Sequence, residues 1–159
     1  MLVVACNTVS SVALDILSAR FNVPVIGVIK PGAKAAALTT KIKKVGVIGT
    51  RTTIRSDVYS KEIKSINNDI YVISKPCPLF VPLVEEGWID HPVTKMVAME
   101  YLSSFVDSGI DSLVLGCTHY PIIRNIIQET VGKDIKLIDS AESTAQEVAN
   151  VLKQNQIMN

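Results

Sequence analysis

The chain has 159 residues, of which 48% are hydrophobic and 19% are charged, and its formal net charge at pH 7 is +1. Near-neutral charge and only 5% aromatic residues argue against a nucleic-acid-binding protein. No apolar stretch approaches the roughly 20 residues that a membrane-spanning helix needs, and we expect no membrane or secretory segment. The three cysteines lack the dense spacing of a disulfide scaffold, which predicts reduced thiols and a cytoplasmic location.

Strands and helices are predicted to alternate along the first half of the chain, which is typical of an α/β protein with a parallel sheet. Pro31 and Gly32 are expected to interrupt this alternation of strands and helices. Thr8 or Ser10 is expected to cap the first helix. The pattern predicts strands at 1–5, 23–28, 45–50 and 70–73, helices at 9–20, 33–40 and 57–66, and a polar loop at 51–53.

The second half continues the alternation. Residues 77–87 contain two prolines and predict a loop with a short helix, and Gly109 is expected to end the following helix in a left-handed conformation. The remaining predicted elements are helices at 92–106, 122–131 and 141–153, a buried strand running from Leu113 to Gly116, a strand at 135–138, and a frayed tail at 154–159.

Two cysteines follow predicted strands in the same way. Cys117 comes directly after the apolar run 113–116, and Cys6 follows the apolar run 2–5. In α/β folds, functional side chains lie outside the carboxyl ends of parallel strands. Each cysteine also precedes a predicted helix and a further strand, so the chain contains a coarse internal repeat. Such halves often face each other across a cleft, although one doubly wound sheet would fit the repeat equally well.

Two thiols on opposite sides of a carbon atom can invert its configuration without a cofactor. A thiol with a pKa of about 8.5 is both a usable acid and a usable base near neutral pH. His119 and the acidic pair Glu85–Glu86 are candidates to assist Cys117. Short hydrogen-bonding residues at the predicted strand ends suit carboxylate and ammonium groups: Asn7, Thr8, Thr50, Thr53 and Thr118.

Other interpretations of these residues stay open. A metal site at Cys6, Cys117 and His119 fits less well, because the close spacing of a structural zinc site is missing. A nucleophilic Cys117–His119 pair would leave Cys6 without a role. Taken singly, each cysteine or histidine is more often a structural residue. We interpret Cys77 as structural and His91 as a surface residue at a helix start.

The strings Val4-Ala5-Cys6-Asn7-Thr8 and Leu115-Gly116-Cys117-Thr118-His119-Tyr120-Pro121 resemble those of bacterial glutamate racemases, in the aspartate/glutamate racemase superfamily. The segments 46–53 and 77–85 are similar to the family as well. Aspartate racemases usually carry a glutamate at the position of His119, so the histidine favours glutamate as substrate.

The resemblance implies two pseudo-symmetric flavodoxin-like domains and a racemase that interconverts L- and D-glutamate without a cofactor or metal. Cys6 and Cys117 would be the two acid/base residues, acting on D- and L-glutamate respectively. Glu85 and His119 would assist Cys117, with Glu86 as an alternative to Glu85. Substrate would be held by Asn7, Thr8, Thr53 and Thr118. The product D-glutamate would serve peptidoglycan synthesis, cell-wall biogenesis and cell shape.

Family members carry a strand and an Asp-Ser-Gly-type loop ahead of the first cysteine, and we expect this chain to lack that segment. Residues 30–138 would then form a complete second domain, and residues 1–29 with 139–159 a remnant of the first. We therefore expect weak activity. A catalytically inactive racemase-derived fragment or binding module is the alternative. We further expect a homodimer.

Overall fold

The computed structural model describes residues 1–155 and contains two parallel sheets. In the smaller sheet, β1 (Leu2–Val4) pairs with β2 (Val25–Gly27). The larger sheet has the strand order β4-β3-β5-β6, formed by β3 (Lys44–Gly49), β4 (Tyr71–Pro76), β5 (Ser112–Gly116) and β6 (Lys136–Ile138). The predicted α/β class is confirmed, and the alternative of a single doubly wound sheet is wrong.

Helices connect the parallel strands. Within residues 1–155 they are α1 (Asn7–Val12), α2 (Leu14–Arg20), α3 (Ile29–Thr39), α4 (Arg51–Arg55), α5 (Val58–Ile66), α6 (Phe80–Glu85), α7 (Pro92–Val106), α8 (Arg124–Val131) and α9 (Ser140–Gln154). A short 3-10 helix at Tyr120–Ile123 precedes α8. None of the helices in this part of the chain has the length and apolar character needed to cross a bilayer.

The core lies on both faces of the larger sheet. Its central strands β3 and β5 are almost completely buried, as expected for strands of a parallel sheet covered by helices on both sides. On one face Phe80, Leu102 and Phe105 pack against β5. On the other face, residues of α3 and α5 such as Ala33 and Ile63 pack against β3. Solvent therefore reaches these strands only at their ends.

The predicted first helix at 9–20 is wrong in two respects. The helix already begins at Asn7, and it breaks at Ala13 into α1 and α2. The predicted caps also differ, because Cys6 occupies the N-cap position without a side-chain hydrogen bond. Ser10 Oγ instead donates to the Val4 carbonyl at 2.9 Å, and the Thr8 hydroxyl bonds to Thr50 at 2.8 Å. Both predicted caps are thus engaged in tertiary contacts.

The predicted interruption at Pro31 and Gly32 is also wrong, since both lie inside α3. Pro31 is the third residue of the helix, where a backbone N–H has no intrahelical partner to lose. A Cβ on Gly32 would lie 3.0 Å from Ser140 Cβ and 3.1 Å from Tyr59 Oη. Glycine therefore allows α3 to approach these two residues closely.

The remaining predictions agree with the structure to within a few residues, with two exceptions. Residues 51–53 begin α4 rather than a loop, because the Thr50 hydroxyl caps that helix by accepting from the Thr53 N–H at 3.2 Å. Gln154 still belongs to α9, and residues 156–159 of the predicted tail lie outside the described residues. Gly109 has a positive φ of 69° as predicted.

Apolar side chains are exposed around the smaller sheet. Val3, Val12, Ile16, Phe21 and Val23 are between 42% and 70% exposed. These side chains form an apolar surface around β1 and β2.

Candidate active site

The two predicted cysteine loops lie at the carboxyl ends of strands in different sheets. Cys6 follows β1 after one residue, and Cys117 follows β5 directly. Cys6 is exposed to solvent, whereas Cys117 is only 7% exposed. Ala5 and Asn7, which flank Cys6, border the same cavity as Cys117. The fold therefore brings together two cysteines that are far apart in sequence.

A cavity of about 570 Å³ adjoins this region, with Asn7, Cys117 and Thr118 in its wall. Asp139 and Ser140, which follow β6 and begin α9, complete its polar wall. Thr144 also lines the cavity, and its buried hydroxyl has no hydrogen-bond partner among residues 1–155. A buried polar group without a partner is unfavourable, and this one lies beside space for a ligand.

Burial is the main influence on the Cys117 thiol and raises its pKa. Hydrogen bonding to the backbone of His119 and Tyr120 opposes this rise, while negative charge on Cys6 and Glu85 adds to it. The thiol consequently keeps its proton at neutral pH. His119 Nδ1 lies 3.8 Å from Cys117 Sγ, within reach to exchange that proton.

Glu85 contacts the other nitrogen of the same imidazole. His119 Nε2 and Glu85 Oε1 are 3.3 Å apart, so a carboxylate, an imidazole and a thiol form one connected series. Glu85 ends α6, and Phe80 at the start of that helix packs edge-on against Tyr120 with ring centroids 5.3 Å apart. Glu86 instead borders an apolar groove. The structure thus brings Glu85, rather than Glu86, to His119.

Three threonine hydroxyls link the Cys6 loop to the larger sheet. Thr8 Oγ1 lies 2.8 Å from Thr50 Oγ1 and 3.3 Å from Thr53 Oγ1, and the last two are 3.0 Å apart. Thr53 is 1% exposed. Thr8 and Thr53, predicted to bind a substrate, are therefore bonded to one another and to Thr50. A ligand would have to replace some of these bonds.

Sequence reasoning missed several residues at this site. Asp139 and Ser140 follow a predicted strand, and that position was the available signal. Tyr59 lies inside a predicted helix, and no motif marks it, yet its hydroxyl donates to Asn7 Oδ1 at 2.7 Å. Only the tertiary fold brings Tyr59 to the cysteine loops.

Cys77 and His91 lie outside the candidate active site. Cys77 is fully buried, and burial raises its pKa to about 12. His91 is exposed and caps α7 by accepting from the Val93 N–H at 3.2 Å. Among residues 1–155, no three histidine, cysteine or acidic side chains cluster as a metal site requires.

Residues 1–148 match the sequence model of the Asp/Glu/Hydantoin racemase family. A glutamate racemase of Geobacter metallireducens is 52% identical over 158 residues. A glutamate racemase of Chlorobaculum parvum is 51% identical over 160 aligned positions. These alignments include 99% and 100% of this chain but only 58% and 59% of the relatives. The chain thus spans less than two thirds of the length of these curated relatives.

Solved structures of glutamate racemases are similar to this chain as well. A glutamate racemase isoform of Bacillus anthracis superimposes with a TM-score of 0.92 at 40% identity, over 96% of this chain and 57% of that protein. The glutamate racemase of Francisella tularensis, solved in complex with D-glutamate, also gives a TM-score of 0.92 at 40% identity. That superposition includes 99% of this chain and 58% of the other protein. The predicted resemblance to glutamate racemases is confirmed.

Proposed function

Because the chain belongs to the Asp/Glu/Hydantoin racemase family, we propose that it interconverts L- and D-glutamate without a cofactor. The observation that carries this proposal is that the two cysteine loops meet at one cavity, which Asn7 of the first loop and Cys117 of the second border. His119 and Glu85 contact each other next to Cys117. The choice of glutamate is supported by relatives about half identical to this chain that are named glutamate racemases.

In the proposed reaction, one cysteine thiolate takes the Cα proton, so that the C–H bond breaks and an S–H bond forms. The electron pair left on Cα is then protonated on the opposite face by the thiol of the second cysteine. Cys6 acts on D-glutamate and Cys117 on L-glutamate. Each turnover exchanges the roles of the two thiols, which is general acid–base catalysis with no net redox change.

His119 and Glu85 are proposed to assist Cys117. Since burial favours the protonated form of this thiol, a base is needed to generate the thiolate. His119 lies within reach of the sulfur, and its other nitrogen contacts Glu85. The carboxylate stabilises the imidazolium that forms when the proton moves from sulfur to nitrogen.

Substrate binding is proposed for Asn7, Thr8, Thr53 and Thr118. Asn7 and Thr118 border the cavity, and Thr118 is exposed to it. Thr8 and Thr53 carry hydroxyls that exchange their mutual hydrogen bonds for bonds to carboxylate or ammonium groups. A hydroxyl can both donate and accept, which suits either charge.

The wider roles are proposals as well. Residues 30–138 are proposed as one domain, and residues 1–29 with 139–159 as part of another, in keeping with the division into two sheets. Free thiols at all three cysteines suit a reducing cytoplasm, where D-glutamate would enter peptidoglycan synthesis. The exposed apolar side chains around β1 and β2 support a homodimer, which light scattering in solution tests.

The decisive experiment follows circular dichroism of L-glutamate incubated with the chain, together with exchange of the Cα proton for solvent deuterium. We expect slow racemisation, because exposed Cys6 reacts in contact with water, and we expect its loss in both Cys6→Ala and Cys117→Ala. Cys77→Ala is the matched control, since this cysteine is buried away from the cavity. Binding of glutamate with no proton exchange would instead identify a catalytically inactive module.

A further inference from the structure

Tyr59 is a buried tyrosine that lies directly behind the candidate active site. It is the second residue of α5 and is 3% exposed. Its ring passes close to two glycines. A Cβ on Gly116, the residue before Cys117, would be 3.2 Å from Tyr59 Cε2, and one on Gly32 would be 3.1 Å from Tyr59 Oη. Small residues on both sides thus make space for the ring.

The hydroxyl of Tyr59 acts as a proton donor. Burial raises its pKa well above the usual range, the Ser140 side chain opposes this rise, and negative charge on Asp139 and Cys117 adds to it. The phenol therefore keeps its proton at neutral pH. Its hydrogen bond to Asn7 Oδ1, at 2.7 Å, is buried and joins residues 52 positions apart in sequence.

This bond determines which way the Asn7 amide faces. An asparagine side chain has an acceptor oxygen on one side and a donor NH2 on the other. Because the oxygen faces Tyr59, the NH2 group faces away from it, and Asn7 also borders the cavity next to Cys117 and Thr118. The amide therefore presents donors, rather than an acceptor, to whatever occupies the cavity.

We propose that Tyr59 is a positioning residue, which fixes the Asn7 amide so that its NH2 group binds a carboxylate of the substrate. The proposal rests on the proposed function for the identity of the substrate. Without the hydroxyl, the amide can rotate and place its oxygen toward the carboxylate. That orientation would repel the substrate instead of binding it.

The first test needs no catalysis. In the full chain labelled with nitrogen-15, we compare the Asn7 side-chain amide signal in wild type, Tyr59→Phe and Tyr101→Phe. Phenylalanine keeps the ring and its effect on nearby signals, so a change reports the lost hydroxyl. Tyr101 is the control, because its hydroxyl accepts from the Leu79 N–H at 3.4 Å and does not border the cavity. We expect increased amide mobility in Tyr59→Phe alone.

The second test measures glutamate turnover. We expect Tyr59→Phe to raise KM about fivefold to tenfold, as for loss of one hydrogen bond between neutral groups, with kcat within about twofold. In an Asn7→Ala background, the same substitution should change KM by less than about twofold, because the two residues act as one unit.

Either of two results overturns the proposal. One is an Asn7 amide signal that stays the same in Tyr59→Phe. The other is an equal rise in KM with and without Asn7, which would indicate a general structural role. If the wild-type chain shows no turnover, the proposed function fails, and the Asn7 amide signal alone then decides the role of Tyr59.

Discussion

Gly116 is the last residue of β5 and directly precedes Cys117, so Gly116→Ala tests how tightly the cysteine loop is held. An added Cβ would lie 2.6 Å from the Ile48 carbonyl oxygen of β3 and 3.2 Å from Tyr59 Cε2. The first neighbour is backbone in the middle of a sheet, and the second belongs to a buried ring. Neither can move without disturbing other contacts.

We expect Gly116→Ala to lower the free energy of unfolding by about 2–3 kcal/mol, in the upper part of the range for overpacked cores. For a chain of this size, the melting temperature would fall by about 4–12 °C. Thermal unfolding followed by circular dichroism measures this change. Alkylation of Cys117 by iodoacetamide should become faster, since the loop that buries it would be displaced.

Gly46→Ala is the matched control, because Gly46 lies in β3 next to β5 and is buried as well. Its Cβ would lie 2.7 Å from Cδ1 of both Ile110 and Leu113 and 3.0 Å from Phe105 Cε1. All three are side-chain atoms rather than backbone, and the two methyl groups end flexible side chains. We expect a loss of only about 1 kcal/mol, since these side chains can adjust. The benefit of alanine in the unfolded state is common to both variants. Equal destabilisation of the two variants would refute the argument.

Three further predictions concern Cys77, the cap of α4 and Glu85. Burial raises the pKa of Cys77 to about 12 in the folded chain, whereas a thiol in the unfolded chain has a pKa of about 8.5. Above about pH 8.5 the unfolded chain therefore loses this proton and the folded chain does not, so the free energy of unfolding should fall as pH rises. Between about pH 8 and about pH 10, the free energy of unfolding measured by urea titration should fall by about 2 kcal/mol less in Cys77→Ala than in the wild-type chain. Thr50→Val should cost about 1–2 kcal/mol by removing the α4 cap, and Thr50→Ser should cost much less. Glu85→Gln should slow deuterium exchange from L-glutamate at least about tenfold, whereas Glu86→Gln should not.

Each of these expectations has a contradicting result. An unchanged pH slope in Cys77→Ala would mean that other groups carry the alkaline loss of stability. If Thr50→Ser were as unstable as Thr50→Val, the hydroxyl would not be the stabilising group. Equal effects of the two glutamine variants on exchange would remove Glu85 from its assisting role.

The positions of the strands along the chain and of the cysteines that follow them were accessible from sequence, because both depend on local patterns. Buried parallel strands are continuous apolar runs, and their carboxyl ends can be located to within a residue or two. The hydrogen bonds of Thr8 and Asn7 were not accessible, because their partners Thr50 and Tyr59 lie more than 40 residues away in sequence. The interruption predicted at Pro31 was wrong for a different reason. Proline breaks a helix only beyond its first turn, and the sequence did not show that α3 begins two residues before Pro31.

The two thiols differ in their surroundings, and in the proposed reaction this difference accounts for the position of His119 and Glu85 beside Cys117. A buried thiol is stabilised in its protonated form and serves readily as an acid, but it must first lose its proton to act as a base. In the proposed reaction, His119 and Glu85, which are in contact with each other, provide a route for that proton. Cys6, in contrast, is exposed to solvent. In the proposed function, Cys117 therefore depends on His119 and Glu85, while beside Cys6 the orientation of Asn7 is held by its hydrogen bond to Tyr59.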